Sequence, residues 1–142
     1  MIPSRTLALA VLAGLPLACS HTPFTAGPDQ LKSASEDFER SIRFQDYGGA
    51  ASSIVPARRA TFLAARRKEA SDLTITDMEL IDVQMAPDGK RALVLSRMRW
   101  VRLPSVSEVT AEVQAQWDVV NNTWLLAALA GGPFREMATP LP

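Results

Sequence analysis

Residues 109–119 read VTAEVQAQWDV, and their alternation decides the architecture. Val109, Ala111, Val113, Ala115, Trp117 and Val119 point one way, while Thr110, Glu112, Gln114, Gln116 and Asp118 point the other. A period of two, with one apolar and one polar row, describes a strand with one buried face. Just beyond it, Asn121-Asn122 is a pair that tolerates the backbone of a tight hairpin. A turn there sets Val119 against Trp124, Trp117 against Leu126 and Ala115 against Ala128, all on the buried face. Upstream, a turn at Pro104-Ser105 sets Trp100 against Val109 and Met98 against Ala111. On the other face it sets Arg97 against Glu112, a favourable charge pair. Asp88-Gly89 is a further hairpin signal, pairing Met85 with Ala92, Val83 with Val94 and Ile81 with Ser96. A slip of one residue at any turn would flip a strand to the wrong face, so the agreement of the turns carries weight. The expectation is a four-stranded antiparallel meander.

Ahead of the sheet the period is helical. Leu31, Ala34, Phe38 and Ile42 recur at spacings of three and four after a candidate N-cap at Asp29. Lys32, Glu36, Asp37, Glu39, Arg40 and Arg43 occupy the opposite face, and Gly48-Gly49 interrupts the run after Tyr47. A short helical piece is expected at about 50–55, and Pro56 opens another as a first helical residue would. That helix runs to about Glu69, with Phe62 and Leu63 inward and Arg58, Arg59, Arg66, Arg67 and Lys68 outward. The basic cluster reads as a solvated face, neutralised by acids of the first helix. The chain carries 15 basic and 15 acidic residues, so its balance gives no footprint for nucleic acid. The fold class is therefore α+β, with N-terminal helices packed on one face of a curved four-stranded antiparallel sheet.

Helical segments followed by this sheet and a Trp-rich final hairpin resemble the nuclear transport factor 2-like (cystatin-like) fold, over about residues 29–129. The residues that carry the resemblance are Phe38 to Tyr47 (FERSIRFQDY), the Asp88-Gly89 hairpin, Trp117, and Asn122 to Leu126 (NTWLL). More narrowly, the chain resembles small bacterial lipoproteins of that fold. The resemblance implies a site in a cone between the helices and the concave sheet face, where related ketosteroid isomerases and dehydratases place acids, tyrosines or histidines. Fold alone does not give function.

At the amino terminus, Arg5 precedes an apolar stretch from Thr6 to Leu15 (TLALAVLAGL), too short to span a bilayer and suited to a signal h-region. Pro16, Leu17 and Ala18 lead into Cys19, the chain's only cysteine, in a pattern that resembles a lipobox. That resemblance implies cleavage before Cys19 and lipidation of its thiol; several acyl chains on one residue make a durable anchor. An ordinary secretory signal or an uncleaved anchor would share the h-region. Ser20, rather than aspartate, follows the cysteine, which points to the outer membrane, facing the periplasm. The expected organisation is a signal over 1–18, lipidated cysteine and flexible tether over 19–28, the domain over 29–130 and a Gly/Pro-rich tail over 131–142. Phe134 of that tail is a candidate to tuck onto the domain, and His21 reads as a solvated linker residue. One cysteine and one histidine exclude a disulfide framework and cysteine-based zinc sites, and no cofactor or metal is expected.

Among the inward positions of the second, third and fourth strands only Ser96 carries a side-chain oxygen, and a serine without a base is not an activated nucleophile. Glu112 and Asp118 fall on the outer face. Asp77 and Glu79 have inward parity, but Met78 and Leu80 break the alternation, and a bulge there sends both acids to solvent. The domain is accordingly expected not to be an enzyme. Tyr47, Ser96, Met98, Trp100, Trp117 and Trp124 either fill the core or line a cone that takes a small hydrophobic ligand. The outer face gathers Leu93, Leu95, Leu125 and Leu129 beside Gln114, Gln116 and Arg97. Its Leu93, Leu95, Arg97 and Leu125 are candidate interface residues for a second copy or another envelope protein. The leading expectation is a lipid-anchored envelope domain working by protein contact, and the alternative is a binder of a small hydrophobic ligand.

Overall fold

The computed structural model of the chain describes residues 26–69 and 71–139; the expected signal, Cys19 and His21 lie outside the described residues. Three helices, α1 (Pro28–Arg43), α2 (Tyr47–Ser52) and α3 (Pro56–Glu69), precede β1 (Leu73–Met85), β2 (Arg91–Arg102), β3 (Glu108–Val120) and β4 (Thr123–Ala130). The strands form one antiparallel sheet in the order β1-β2-β3-β4. Ala26 N–H donates to Asn122 Oδ1, and Trp124 Nε1 donates to the carbonyl of Gly27, which ties the segment before α1 to the last hairpin.

Local chemistry sets each boundary. Pro28 opens α1 after an N-cap at Gly27, two residues earlier than the expected Asp29, because Gln30 Oε1 accepts the Gly27 N–H at 2.8 Å. The helix stops at Arg43, since Gln45 adopts a left-handed φ of 57°. The short second helix begins at Tyr47, not near Ala50, because Asp46 caps it by accepting from Gly49 N–H at 2.9 Å. Asp46 folds so closely over Gly49 that a side chain there would collide with the cap. The glycine pair therefore starts a helix instead of only ending one.

The strand register follows the turns. Asn121 and Asn122 both hold positive φ, as a tight hairpin between right-twisted strands requires. Val119 faces Trp124 and Trp117 faces Leu126; Trp100 faces Val109, Met98 faces Ala111 and Arg97 faces Glu112. Met85 with Ala92 and Val83 with Val94 also pair as expected. Two pairings differ, each through an extra residue. Register shifts on β1 leave Thr76 and Ile81 unpaired, so Leu80, not Ile81, faces Ser96. The same shifts turn Asp77 to Arg99 and Glu79 to Arg97, on the solvent side, where both acids form ion pairs. Between β3 and β4 a shift leaves Ala127 unpaired, so Ala115 faces Leu129 rather than Ala128. Leu129 is thereby buried in the core instead of standing on the outer face.

The core lies between α1 and the concave face of the sheet, centred on Phe38 and Trp117, whose rings meet edge to face at 6.3 Å. The free edge of β4 is covered by the α2–α3 junction: Val55 N–H donates to Leu126 O, and Leu126 N–H to Ser53 O.

The residues expected to trail as a tail from 131 belong to the domain. Gly131 turns the chain with φ of 92°, Gly132 lies against Val113 and Met98, and Phe134 and Met137 are buried. A Cβ on Gly131 would sit 2.5 Å from the backbone oxygen of Glu112. Gly131→Ala is therefore expected to cost about 2 kcal/mol, from strained positive φ and the clash, read as a lower urea midpoint.

Candidate functional site

The cone of this fold is largely filled. Phe134 enters it from the C-terminal segment, 6.1 Å from the Phe62 ring centre on α3. Arg66, at 1% exposure, lies between those rings, its guanidinium carbon 5.7 Å from the Phe62 centroid and 4.6 Å from that of Phe134. Its Nη2 meets Glu136 Oε1 at 2.9 Å and Glu69 Oε2 at 3.6 Å, while Nε and Nη1 have no hydrogen-bond partner. The placement of Arg66 corrects the expectation of an all-outward basic face on α3. Phe62 and Arg66 are one turn apart, and Arg66 has the length to reach acids at the rim. Arg58 shares the same anchor, donating from Nη1 to Glu136 O.

Of the six residues expected to line a pocket, Met98, Trp117 and Trp124 are wholly buried core, and Tyr47 and Trp100 are half-buried against it. Tyr47 packs edge to face on Phe62, and burial pushes its hydroxyl up, with Arg66 and Glu69 acting on it in opposite directions. Ser96 is buried too, and it lines an open cavity.

That cavity is a cleft of about 340 Å3 between α1 and the β1–β2 hairpin. Its α1 wall carries Leu31, Lys32, Ser35, Glu36 and Glu39; its sheet wall carries Leu80, Val83, Val94 and Ser96. The helix wall follows from position: Lys32, Glu36 and Glu39 flank the buried stripe of Leu31, Phe38 and Ile42. The sheet wall follows from the second bulge, which turns Leu80 to the concave side. Leu80 and Val83 keep 50% and 42% of their surface exposed there. These apolar groups are therefore available to a ligand rather than consumed by the core. Glu39 is the cleft's most perturbed group: burial raises its carboxyl pKa, opposed by Arg43 at 3.6 Å and reinforced by Asp77 and Glu36. Leu80 and Glu39 were both legible as residues but not as site members. Their signal is a bulge and a helix flank, neither of which periodicity resolves.

The outer sheet face offers less than its sequence promised. Leu93 and Leu95 are half-buried, Leu125 is buried, and Leu129 faces the core. Arg97 is exposed and engaged with Glu79 at 3.5 Å, and Arg91 meets Asp118 at 2.9 Å.

The chain matches no protein-family model and no curated protein sequence. It is similar in structure to an NTF2-like protein of unknown function from Shewanella oneidensis, with 15% identity and a TM-score of 0.59 over 72% of this chain and 96% of that one. A SEC-C motif containing protein from Rhodopseudomonas palustris superposes with a TM-score of 0.58 and 16% identity, over 75% of this chain and 80% of that one. A candidate dehydratase of the NTF2-like family from Streptomyces avermitilis gives 0.54 and 17%, over 74% and 94%. At such identities a likeness speaks to fold. Together with the element order and strand register, it makes this chain a domain of the nuclear transport factor 2-like α+β fold.

Proposed function

We propose that this domain is a non-catalytic binder of a small hydrophobic ligand, held at a bacterial envelope membrane through lipidated Cys19. The observation that carries the reading is the cleft under α1, with Leu80, Val83 and Val94 on its sheet wall. Its volume of about 340 Å3 falls at the small end of ligand sites, which run from roughly 300 to 1,000 Å3. Catalysis is disfavoured by the sheet wall opposite α1, where Leu80, Val83, Val94 and Ser96 place no acid or base to work with the carboxylates and Lys32 of the helix side. The membrane anchor rests on the lipobox-like run ending at Cys19.

A second reading, contact through the outer sheet face, is favoured by the half-buried Leu93 and Leu95 alone. With Leu125 buried and two ion pairs flanking them, little apolar surface is left there for a partner.

Titration with the neutral apolar fluorophore N-phenyl-1-naphthylamine tests the ligand reading. A saturable gain of fluorescence is expected, and Ser35→Trp, which fills the cleft from a half-buried helix position, should weaken it by about tenfold, or 1.4 kcal/mol. Absence of saturable binding, or binding indifferent to Ser35→Trp, would overturn the reading.

A further inference from the structure

We infer that the cleft takes a small amphiphile with an apolar chain and a cationic head, the chain lying on Leu80 and Val83 and the head beside Glu36 and Glu39. This rests on the ligand-binding reading above and adds the chemical class of the ligand.

Charge complementarity carries the choice. The charged side chains bordering the cleft are Asp29, Glu36 and Glu39 against Lys32. Lys32 reaches Glu36 only at 3.8 Å and Arg43 reaches Glu39 at 3.6 Å, single long contacts that leave carboxylate oxygens unoccupied. Beyond Arg43, the charged groups acting on Glu39 are Glu36 from its own helix and Asp77 from β1, both acids. Arg43 offsets the burial of this half-buried carboxylate only in part, since its pKa stays above the ordinary glutamate value, and a bound ammonium would add a second countercharge. A fatty-acid carboxylate would meet like charge at the same place. The neighbouring cations are tied: Arg40 to Asp37 at 2.9 Å and Arg43 to Glu39.

Size argues for a small molecule over a peptide helix. One helical turn, about 10 Å across and 5.4 Å long, fills roughly 420 Å3, more than the cleft's 340 Å3.

The test uses the full chain carrying Cys19→Ser, so that no acyl group is attached, and isothermal titration with decylamine, decanol and decanoate below their aggregation concentrations. At pH 7 decylammonium should bind about tenfold tighter than decanol, the scale of one hydrogen bond to a charged partner, and decanoate weakest. Glu39→Gln should reduce decylammonium to the affinity of decanol. This variant removes a carboxylate whose charge burial disfavours, so its unfolding midpoint should stay near that of the parent. As pH falls through the raised Glu39 pKa the preference for decylammonium should vanish, while decanol binding stays level. Equal affinity for all three, or decanoate tightest, overturns the cationic head and leaves the ligand reading standing. Binding of none of them overturns both.

Discussion

Glu136→Ala is expected to destabilise the domain by about 3 kcal/mol, far more than a surface ion pair would. Glu136 lies in the C-terminal segment, yet it holds Arg66 at 2.9 Å in a position where the arginine side chain is only 1% exposed. Without it Arg66 keeps Glu69 at 3.6 Å and two ring faces, and a further donor joins Nε and Nη1 among its unpaired groups. An uncompensated buried cation is the costly state, whereas replacing both partners by apolar groups of similar size is often close to neutral. Arg66→Met combined with Glu136→Gln should therefore recover most of the loss. A midpoint drop of roughly 12 °C for the single variant, largely restored in the double, is the thermal signature. A loss under about 1 kcal/mol for Glu136→Ala would mean that the arginine reaches water and that the segment does not clasp the cone.

The neighbouring acid adds a pH dependence of known sign. Burial alone would push Glu69 up, but the hydrogen bond from Arg102 and the charges of Arg102, Arg66 and Lys68 outweigh it, and its pKa lies below the ordinary glutamate value. Its contribution is thus present above the unfolded pKa near 4.5 and lost as pH falls through the lower folded value. Glu39 works in the opposite sense. Its folded pKa is raised, so its protonated form favours folding near pH 4.5, and that contribution is lost as pH rises through the folded value.

How much of this was legible follows from which physical signals are local. Asp88-Gly89 and Asn121-Asn122 set two registers by backbone preference, and one buried face per strand set the third, so the sheet could be read residue against residue. Bulges at Thr76, Ile81 and Ala127 add one residue to one strand without breaking apolar composition, because Leu80 and Ile81 look alike to any hydropathy pattern. Reading Ile81 inward therefore missed the wall of the cleft, and reading Leu129 outward inflated the outer face. Asp77 and Glu79 were placed correctly because acids, unlike aliphatics, report which side they need. Arg66 was missed for the complementary reason. An arginine one turn from Phe62 reads as solvated until its partner is known, and Glu136 lies 70 residues away. Glu39 is a similar case, since only the position of β1 across from α1 turns a flank of the helix into a half-buried rim. The lipobox-like run has no counterpart in the described residues, and its reading rests on sequence.

Phe38→Ala should lower stability by about 4 kcal/mol and, separately, abolish binding in the cleft. Phe38 is 2% exposed and is one of the residues, with Leu31 and Ile42, through which α1 buries itself. Truncating a buried phenylalanine typically costs 3–5 kcal/mol, roughly the sum of lost transfer energy and the cavity left behind. Here the cavity opens against Trp117, whose Nε1 is buried without a hydrogen-bond partner, so water admitted to that face could relieve part of the loss. The consequence for function comes through geometry, since Leu31, Ser35 and Glu39 reach the cleft only while α1 is held against the sheet. Hydrogen exchange should show α1 amides losing protection while those of β2 and β3, paired along their full length, keep theirs. Leu80→Ser supplies the contrast, because Leu80 is half-exposed and its removal should weaken the ligand while leaving the unfolding midpoint nearly unchanged. If Phe38→Ala released α1 and binding survived, the ligand would have to sit on the sheet wall alone. Loss of binding together with α1 protection would show that the helix is the movable half of the site and the hairpin its fixed half.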